Sequence, residues 1–423
     1  MKKLKVILIG IGNRGKTYTD IMRGLPEQFE LVAIADPIDD RRLHKQKRWG
    51  LPDDMVFTDW RPLLEKGKIA DLAVIATMDR EHFGPAMKCI ELGYDLLLEK
   101  PIAPTLEECR EITRAATEKG TKVVICTVLR YTRIFNAIKS VIDSGRLGKI
   151  MSINHEEGVG NIHQTHSFVR GNWGNAERSS DMLLQKSCHD VDILQWLIGK
   201  KCKKVQSFGM LSYFKEENAP EGAGERCLDC PVATDCMYNA VKIYYDDKEN
   251  NWFRTTSTHK VEPTDEDVME ALRTTQYGKC VYKCDNNVVD HQVVNMLFED
   301  DITVTFTMNA FNKGGRFLHI MGTKGELRAA MDESTPITVY DFAADKTETV
   351  DSTKAKDGIN GGHGGGDGGI IGALYAYLNG TYEGNSVPEI EESYYNHAIA
   401  FAIEEARKTG TIVDFDEFWA RNN

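Results

Sequence analysis

A glycine-rich turn directly follows the first apolar run of the chain and has the spacing of a dinucleotide-binding fingerprint. Gly10, Gly12 and Gly15 form the pattern G-x-G-x-x-G. In such a motif the first glycine allows a tight turn, the second lets a pyrophosphate approach the backbone, and the third lets the next helix pack on the strand. Asn13 and Arg14 then lie at a helix start whose N–H groups can bind phosphate.

An acidic residue lies at the position that distinguishes NAD from NADP in such a site. Asp36 closes the second apolar run, about 20 residues after the fingerprint. A carboxylate there accepts a hydrogen bond from the ribose 2′-hydroxyl and repels a 2′-phosphate. We therefore predict NAD as the cofactor and expect NADP to bind less well, although Arg41 and Arg42 nearby could weaken that preference. A glycine turn followed by an ordinary surface aspartate is the alternative.

A lysine lies at the end of a later apolar run, in the tripeptide Glu99-Lys100-Pro101. In doubly wound sheets, ligands bind outside the carboxyl ends of the strands, so we expect Lys100 beside the nicotinamide. The pKa of a lysine is about 10.4 and must be lowered by burial or a neighbouring cation before the amine can accept a proton near neutral pH. The alternative is a solvated surface lysine.

Further polar residues stand beside aromatic or glycine residues. Hydrogen-bond donors next to an aromatic face suit a polyhydroxylated ring, and glycines let a ligand approach the backbone. Each of these segments could equally be a surface loop. The substrate-binding candidates from this pattern are His163, His166, Arg170, Trp173, Arg130, His291 and His363.

The cysteines of the second half form an incomplete metal-binding pattern. Cys227, Cys230 and Cys236 are spaced C-x2-C-x5-C, and Cys280 and Cys284 follow. The first pair has the spacing of a structural zinc site, which needs four ligands. We predict zinc bound by the first three and Cys280, with Cys284 or a histidine as the alternative fourth ligand. Unpaired thiols are the other interpretation, and the absence of a C-x2-C-x2-C run argues against an iron–sulfur cluster.

The elements that position these residues are clearest in the first 126 residues. Helix-like segments, including residues 80–92 and 105–119, separate short runs of Val, Ile and Leu. This alternation predicts a Rossmann domain with a doubly wound parallel sheet over residues 1–126. The predicted strands are residues 4–9, 31–35, 72–75, 96–98 and 123–126.

A different pattern follows in the rest of the chain. Residues 302–308 alternate strictly between polar and apolar, which predicts an antiparallel strand with one solvated face. We predict that residues 127–423 form a C-terminal α+β domain for substrate binding and oligomerisation, with a large, mainly antiparallel open sheet. Residues 214–289 are polar and are predicted to be an insertion. The other predicted features are strands at 316–322 and 327–330, helices at 183–198 and 390–408, and a loop at 361–369.

Composition excludes some classes of partner. The 423 residues carry a net charge of −12, and an acidic surface repels nucleic acid. No segment reaches the roughly 18 apolar residues of a membrane span. We therefore expect a cytoplasmic protein with neither a membrane nor a nucleic-acid partner. An open sheet often buries its face against another subunit, so we predict a homodimer or homotetramer.

The order and spacing of these motifs resemble the Gfo/Idh/MocA family, which is named for glucose–fructose oxidoreductase, inositol dehydrogenase and a rhizopine-catabolism protein. The resemblance covers nearly the whole chain. It rests on the glycine turn, Asp36, the stretch from Thr77 to His82, the Glu99-Lys100-Pro101 motif and the helix around His189. It implies that Thr77, His82, Glu99 and Lys100 contact the cofactor and that Lys100 is catalytic.

The resemblance also implies an Asp-x-x-x-His pair on a helix of the second domain, from which this chain departs. His189 matches the histidine, but Gln185 replaces the aspartate. An amide cannot exchange a proton, so we expect Gln185 only to orient the substrate. Lys186 shares a helix face with His189 and is a further catalytic candidate. The alternative for His189 is a core histidine.

These features predict an NAD(P)-dependent oxidoreductase that transfers hydride between nicotinamide and a hydroxyl of a sugar, sugar derivative or polyol. A histidine near its ordinary pKa suits removal of the hydroxyl proton. One alternative is an NAD-dependent glycoside hydrolase that oxidises a ring hydroxyl transiently and cleaves by elimination, which the departure at Gln185 leaves open. Another is a non-catalytic ligand sensor on the same fold, against which the presence of Lys100 and His189 argues.

Overall fold

The computed structural model of the chain describes residues 1–331, 334–352 and 364–423. Its N-terminal part contains a parallel sheet covered by helices on both faces, which is why its central strands are almost wholly buried. The strands are β1 (Leu4–Ile9), β2 (Phe29–Ala35), β3 (Val56–Phe57), β4 (Leu72–Ile75), β5 (Asp95–Leu98) and β6 (Val123–Ile125). Their order, β3-β2-β1-β4-β5-β6, confirms the predicted Rossmann sheet.

The helices of this part begin and end at recognisable signals. The last of them starts where Glu108 N–H donates to Thr105 Oγ1 at 3.2 Å, and ends at Gly120 in the left-handed conformation. The helix predicted from residue 80 begins only at Phe83, because a 3-10 turn precedes it. The helices are α1 (Asn13–Arg23), α2 (Asp39–Trp49), α3 (Trp60–Glu65), α4 (Phe83–Leu92) and α5 (Leu106–Lys119).

The second part is built on a nine-stranded mixed sheet, which confirms the predicted mainly antiparallel architecture. Its strands are β7 (Ile150–Gly158), β8 (Cys202–Met210), β9 (His291–Phe298), β10 (Thr303–Asn309), β11 (Gly315–Gly322), β12 (Gly325–Ala330), β13 (Ile337–Asp341), β14 (Lys346–Val350) and β15 (Val413–Asp414). Their order is β14-β13-β12-β11-β7-β10-β9-β8-β15. The pairing of β7 with β10 is parallel, and the other pairings are antiparallel.

Helices cover one face of this sheet and leave the other open. The helices of this part are α6 (Arg133–Asp143), α7 (Asn161–Gln164), α8 (Met182–Ile198), α9 (Asn251–Thr258), α10 (Asp265–Thr274), α11 (Gly366–Leu378), α12 (Ile390–Thr409) and α13 (Phe415–Asn422). Apolar residues of α8 and α12 form the main core with inward-facing residues of the strands. In the part of the chain that the structure describes, no helix has the length and apolar character needed to cross a membrane.

Helix α11 returns to the N-terminal part. Its residues Ile370, Ile371 and Leu374 are buried with the apolar side chains of β1, β2 and α1. The prediction of a loop over residues 361–369 is wrong for the last four of these, which form the first turn of α11. Residues 361–363, with the substrate-binding candidate His363, lie outside the described residues.

The predicted insertion contains short helices and two small apolar clusters instead of a sheet. An antiparallel bridge between Arg226 and Lys279 joins its beginning to its end. None of the ten cysteines of the chain forms a disulfide bond. The boundary between the domains at residue 126 stays a prediction.

Candidate active site

The glycine turn combines tight packing with one open position. Gly10 has a φ of +89°, and a Cβ there would lie 2.5 Å from the carbonyl oxygen of Ala76. A Cβ at Gly15 would lie 2.1 Å from the carbonyl oxygen of Gly10, whereas a Cβ at Gly12 would meet no atom within 4 Å. Among the described residues, no side chain caps the N-terminus of α1. Open space beside Gly12 and uncapped N–H groups fit the pyrophosphate of a dinucleotide.

Asp36 holds the glycine turn from the end of β2. Its Oδ2 accepts a hydrogen bond from Ile11 N at 2.6 Å, and its Oδ1 accepts one from Ile38 N at 2.8 Å. Arg42 donates to the backbone oxygen of Asp36 and pairs with Asp39, so its guanidinium is already engaged. The carboxylate is therefore positioned beside the turn, where the adenosine ribose of a dinucleotide would lie.

The insertion reaches this adenosine side of the Rossmann part. Arg41 Nη2 lies 3.1 Å from His259 Nδ1, and Val261 N donates to Asp40 Oδ2 at 2.7 Å. Burial lowers the pKa of the His259 imidazole, and the positive charge of Arg41 lowers it further. These contacts join residues more than 200 positions apart, so no local pattern in the sequence could have predicted them.

Arg14 links the fingerprint helix to two other elements. Its Nε lies 3.0 Å from Glu99 Oε1 and its Nη2 lies 2.5 Å from Asp367 Oδ1 on α11. Burial opposes its charge, but Tyr18, Glu99 and Asp367 together raise the pKa of the guanidinium above its ordinary value. Glu99 Oε1 also accepts a hydrogen bond from Tyr18 Oη at 2.5 Å. Arg14 and Glu99, both predicted to bind the cofactor, are thus engaged with each other.

Thr77 and His82 join the loops that follow β4 and β5. The His82 ring is buried, with Nδ1 2.8 Å from the carbonyl oxygen of Pro101 and Nε2 3.3 Å from that of Thr77. Thr77 Oγ1 donates to the carbonyl oxygen of Glu81 at 3.0 Å. In this structure the His82 ring holds the loop that carries Lys100, the Thr77 side chain closes a turn within its own loop, and the His82 ring does not face open space.

Lys100 crosses from the Rossmann part to helix α8. Its Nζ donates to the carbonyl oxygen of Gln185 at 2.7 Å, in the first turn of that helix. Its charge also acts on two C-terminal side chains, since it lowers the pKa of His163 and opposes the burial that raises the pKa of Cys188. His189 lies one turn farther along α8 and is mostly buried. The structure therefore brings the predicted residues Lys100, Gln185 and His189 to one region.

Lys186 and His163 add a cation and a neutral imidazole to this region. Lys186 Nζ forms an ion pair with Glu157 Oε1 at 3.0 Å. Burial lowers the pKa of His163 well below its ordinary value, and the charges of Lys186 and Lys100 lower it further. His163 is therefore uncharged at neutral pH, with two ammonium groups near it. Such a set of groups can stabilise an oxygen that loses its proton.

A buried ionic network holds Glu157, the ion-pair partner of Lys186, in position. Glu157 Oε2 lies 2.8 Å from Arg316 Nε, which lies 2.7 Å from Asp190 Oδ1. His155 Nε2 lies 2.7 Å from the same Asp190 oxygen. Burial raises the pKa of Asp190, but Arg316 and His155 outweigh it and hold that pKa below its usual range. No motif in the sequence predicted this network, although charged residues at inward positions of β7 were a signal of it.

His166 and Arg170 do not lie in the cleft, which is the region between the two parts of the chain where Lys100 meets helix α8. His166 is 1% exposed, and its ring contacts those of Tyr244, Phe253 and Tyr277, with a centroid distance of 4.2 Å to Phe253. Arg170 is equally buried and donates to the backbone oxygens of Lys279 and Tyr238. Since both side chains are enclosed by the insertion, the structure does not support their prediction as substrate ligands.

Arg130 and His291 also lie away from the site. Arg130 is fully buried and forms ion pairs with Asp192 at 2.7 Å and with Glu392 at 2.8 Å, which gives it a structural role. His291 bonds to Asp290 and lies at a position of β9 that faces the open side of the sheet, opposite α8. Because Arg130 is buried and His291 lies on the open face of the sheet, the structure does not support the prediction of either residue as a substrate ligand.

Trp173 lies where the two parts of the chain meet. Its Nε1 donates to Asp79 Oδ1 at 3.2 Å, and Ser180 Oγ donates to Asp79 Oδ2 at 3.1 Å. Asp79 follows the carboxyl end of β4, the edge at which ligands of a doubly wound sheet bind. Trp173 remains a candidate for substrate contact.

The structure does not support the predicted zinc ion. Across residues 1–331, 334–352 and 364–423, no three Cys, His, Asp or Glu side chains come together as ligands of one metal ion. With Zn–S bonds of about 2.3 Å, four tetrahedral thiolates would lie about 3.8 Å apart. The predicted ligands, Cys227, Cys230, Cys236 and Cys280, instead line one cavity.

Comparison with known families matches almost the entire chain in two blocks. Residues 4–127 match the profile described as "Oxidoreductase family, NAD-binding Rossmann fold" of Gfo/Idh/MocA proteins. Residues 139–415 match the profile described as "Oxidoreductase family, C-terminal alpha/beta domain" of the same proteins. The two blocks correspond to the two sheets of the structure.

Similar curated proteins include oxidoreductases and a hydratase. The Bacillus subtilis protein YteT is 24% identical over 315 residues, which cover 70% of each chain. An inositol 2-dehydrogenase of Salmonella typhimurium is 21% identical over 206 residues, covering 48% of this chain and 57% of that enzyme. A 2,7-anhydro-N-acetylneuraminate hydratase of Mediterraneibacter gnavus is 25% identical over 209 residues, covering 49% and 53%. The matches to these two enzymes thus span little more than half of their length.

Solved structures share the fold over nearly the full length. An oxidoreductase from Agrobacterium radiobacter, in complex with NAD+, L-tartaric acid and magnesium, has a TM-score of 0.69 and 14% identity, with 98% of this chain and 99% of that chain covered. The WlbA dehydrogenase from Bordetella pertussis, in complex with NADH and UDP-GlcNAcA, has a TM-score of 0.67 and 16% identity, with 98% of both chains covered. At these identities the similarity establishes the fold.

Proposed function

The chain belongs to the Gfo/Idh/MocA oxidoreductase family, and from that premise we propose that it is an NAD-dependent dehydrogenase acting on a hydroxyl group of a sugar, sugar derivative or polyol. The observation that carries the proposal is the convergence of Lys100, from the end of a Rossmann strand, with Lys186 and His163 of the second part. That position lies at the carboxyl ends of the parallel strands, where a doubly wound sheet binds its ligands.

The chemistry of alcohol oxidation determines the role that we assign to each residue of the site. NAD, when bound, supplies the hydride acceptor. Lys100 and Lys186 donate hydrogen bonds to the substrate oxygen and stabilise its negative charge as the proton leaves. We assign removal of that proton to His189, while the neutral His163 binds a neighbouring hydroxyl. Gln185 has no proton to exchange, so its amide orients the substrate.

The proposal is tested by a search for turnover with the purified protein. NAD+ or NADP+ is mixed with a panel of polyols, aldoses and sugar acids that includes myo-inositol, and NADH or NADPH formation is followed by absorbance. We expect at least one member of the panel to be oxidised, with NAD+ preferred because a carboxylate at the position of Asp36 would repel a 2′-phosphate. Binding of NAD+ without turnover of any member would contradict the dehydrogenase assignment.

A redox-neutral reaction at the same site is the second candidate. The specific observation in its favour is that the insertion covers the adenosine side, through the contacts of Arg41 with His259 and of Asp40 with Val261. A covered cofactor exchanges slowly, which suits a reaction that returns the hydride to the substrate, such as glycoside cleavage by elimination. A related protein named as a hydratase is compatible with such chemistry in the family.

One assay distinguishes the two candidates. The protein is purified without added nucleotide, its bound NAD is quantified, and it is then mixed with aryl glycosides. Release of the phenol with retained NAD and no NADH accumulation would support the redox-neutral reaction and contradict the dehydrogenase. NADH accumulation that requires added NAD+ would support the dehydrogenase.

We also propose that the open face of the second sheet forms a homodimer or homotetramer interface. Phe208 and Phe317 are 53% and 51% exposed on this face, and exposed aromatic residues favour burial against another subunit. Light scattering after gel filtration measures the assembly directly. Replacement of both residues by Ser is expected to shift it toward the monomer.

A further inference from the structure

Helix α9 of the insertion has one end at the substrate side of the cleft and the other end at the adenosine side. It spans the eight residues Asn251–Thr258 and is therefore about 12 Å long. Trp252 lies in its first turn, and His259 follows its last residue in the left-handed conformation, with a φ of +57°. One short helix thus carries side chains to two sites that are formed by other segments of the chain.

Trp252 contacts the substrate side. Its indole ring and the imidazole of His163 meet in a T-shaped arrangement, with ring centroids 5.1 Å apart and an interplanar angle of 79°. A second T-shaped contact joins the indole to the ring of His166, at 5.0 Å. Aromatic rings prefer this geometry, so the indole restricts the orientation of the imidazole. Because α7 has only four residues, the orientation of His163 depends in part on this contact from the insertion.

The middle of α9 is anchored within the insertion. Arg254 Nη2 forms an ion pair with Asp265 Oδ1 at 2.7 Å, and Arg254 Nη1 donates to the carbonyl oxygen of Tyr244 at 3.3 Å. The Asn250 side chain accepts a hydrogen bond from Phe253 N at 3.4 Å and caps the N-terminus. A capped helix of two turns is a rigid element, so a displacement of one end is transmitted to the other.

The residues that follow α9 contact the Rossmann part beside the nucleotide site. His259 Nδ1 lies 3.1 Å from Arg41 Nη2, and Val261 N donates to Asp40 Oδ2 at 2.7 Å. Both partners belong to the first turn of α2, which follows Asp36 closely in the chain. A nucleotide whose ribose is bound at Asp36 therefore lies next to the place where the insertion docks on α2.

We propose that α9 couples the nucleotide side of the cleft to the substrate side, with Trp252 as the positioning residue that acts on His163. The docked insertion adds contacts to the adenosine that an undocked insertion lacks, so nucleotide binding favours the docked arrangement. That arrangement holds the His163 ring in the cleft before the substrate binds. The role of His163 toward the substrate rests on the proposed function, whereas the contacts that form the coupling do not.

Hydrogen exchange of the full-length chain, measured by mass spectrometry with and without ADP, tests the coupling. ADP has no nicotinamide and does not extend to the substrate side, so any effect on His163 and its neighbours is indirect. With ADP at ten times its Kd, we expect exchange in α9 and in residues 161–170 to slow by up to about tenfold, because ADP favours the docked arrangement. Slowing in α9 alone, or in neither segment, would overturn the proposal.

Two matched substitutions in α9 identify the residue that carries the coupling. In Trp252→Leu we expect ADP still to slow exchange in α9 but to change exchange in residues 161–170 by less than about twofold, because the ring contact is lost. Phe253→Leu is the control, since Phe253 contacts His166 and Trp252, and both effects should remain in it. Trp252→Phe keeps an aromatic edge and should also retain both effects.

Two results would overturn the role of Trp252. Equal loss of the coupling in both leucine variants would indicate a general loosening of the insertion. Full retention in Trp252→Leu would place the coupling on the stacked rings of Tyr277 and His166, which lie 5.3 Å apart. If Trp252→Leu does not fold, the response of residues 161–170 in the unmodified chain and in Trp252→Phe decides whether the two sides are coupled.

Steady-state kinetics separate this proposal from the proposed function. For a substrate found in the panel, Trp252→Leu should raise KM about fivefold and change kcat by less than about twofold, because His163 binds a hydroxyl and does not take the proton. Trp252→Phe should restore KM. A lower kcat with unchanged KM would contradict the positioning role. If no panel member is oxidised, the dehydrogenase assignment fails, while the exchange measurements still decide the coupling.

Discussion

On the cofactor side of the cleft the candidate contacts come largely from the backbone, whereas the substrate side consists of side chains held by other side chains. Gly12 and the uncapped start of α1 offer N–H groups and open space. Opposite them, Lys186 is positioned by Glu157, which is positioned in turn by Arg316. The first side depends on a local conformation and the second on the packing of three distant segments.

This difference has a consequence for how each side tolerates change. A backbone site fails when a side chain intrudes on it, and the loss appears in nucleotide affinity or in folding. A side-chain network fails when one partner is removed, because its neighbours are left with unpaired buried charges. Lys100 is the residue that connects the two sides, through its hydrogen bond to the Gln185 carbonyl oxygen.

The largest effect is expected from Lys100→Ala. Loss of a proton-transfer or charge-stabilising group slows the chemical step by about 10²–10⁴-fold, so we expect kcat to fall about 10³-fold, or roughly 4 kcal/mol. NAD binding, measured by fluorescence titration, should change by less than about threefold, or roughly 0.7 kcal/mol. Lys88→Ala, at a partly exposed lysine on α4, is the control. A loss of NAD binding with unchanged kcat would place Lys100 on the cofactor side alone.

The next largest effect is expected in the pH dependence of stability, and it comes from His166, which lies outside the cleft. Burial lowers the pKa of His166 to about 3, while a histidine in an unfolded chain titrates near 6.5. Below about pH 6.5 the unfolded chain binds a proton that the folded chain excludes. The free energy of unfolding therefore decreases as the pH is lowered. At pH 5 this group contributes a loss of about 2 kcal/mol.

His166→Phe checks this by urea unfolding at pH 7.5 and at pH 5. The variant should lose about 2 kcal/mol less stability between the two pH values than the unmodified chain does. His44→Phe, at a position that is not fully buried, should keep the original dependence. If His166→Phe shows the same loss as the unmodified chain, the imidazole is not excluded from protonation and lies in a more open site.

A smaller effect separates two glycines of the same turn. Gly12→Ala places a methyl group in the open space, so we expect the Kd for NAD to rise about tenfold, or roughly 1.4 kcal/mol, with unchanged stability. Gly15→Ala meets the carbonyl oxygen of Gly10 and should lower the free energy of unfolding by about 1–3 kcal/mol. Calorimetry measures both quantities. Equal destabilisation by the two substitutions would show that the turn has no open side.

The smallest effect concerns the choice between the two nucleotides. Arg41 lies near Asp36 and His259, and a surface ion pair contributes about 0.2–1 kcal/mol. Arg41→Ala should therefore weaken NADP binding by roughly threefold, or about 0.7 kcal/mol, and leave NAD binding unchanged. Titration with each nucleotide measures this, with Arg48→Ala as the control. Weaker binding of both nucleotides would mean that Arg41 supports the adenosine side as a whole.

The N-terminal fold could be predicted because its signals are local. Five of its six strands contain a run of at least three apolar residues, and the glycine spacing identifies the turn between β1 and α1. The two-residue strand β3 has too few positions to show a period. Helix α11 was not predicted. Its first turn is rich in glycine, which normally disfavours a helix, and burial against the Rossmann core accounts for the helix there.

The candidate site could be predicted only in part. The positions of Lys100 and His189 followed from motifs, whereas the pairing of Lys186 with Glu157 joins α8 to β7 and has no local signature. Buried polar residues were the main source of error. His166 and Arg170 carry groups that suit a carbohydrate, but the aromatic side chains and backbone oxygens of the insertion enclose them.

The return of α11 to the first sheet has a consequence for protein synthesis. Since Ile370, Ile371 and Leu374 complete an apolar layer begun by β1, the Rossmann part cannot reach its final packing until residue 374 has left the ribosome. Domains generally fold in order as they emerge, yet here the first to appear must wait for a late segment. A fragment that stops at residue 126 would expose that layer to water, and we expect it to aggregate instead of binding nucleotide.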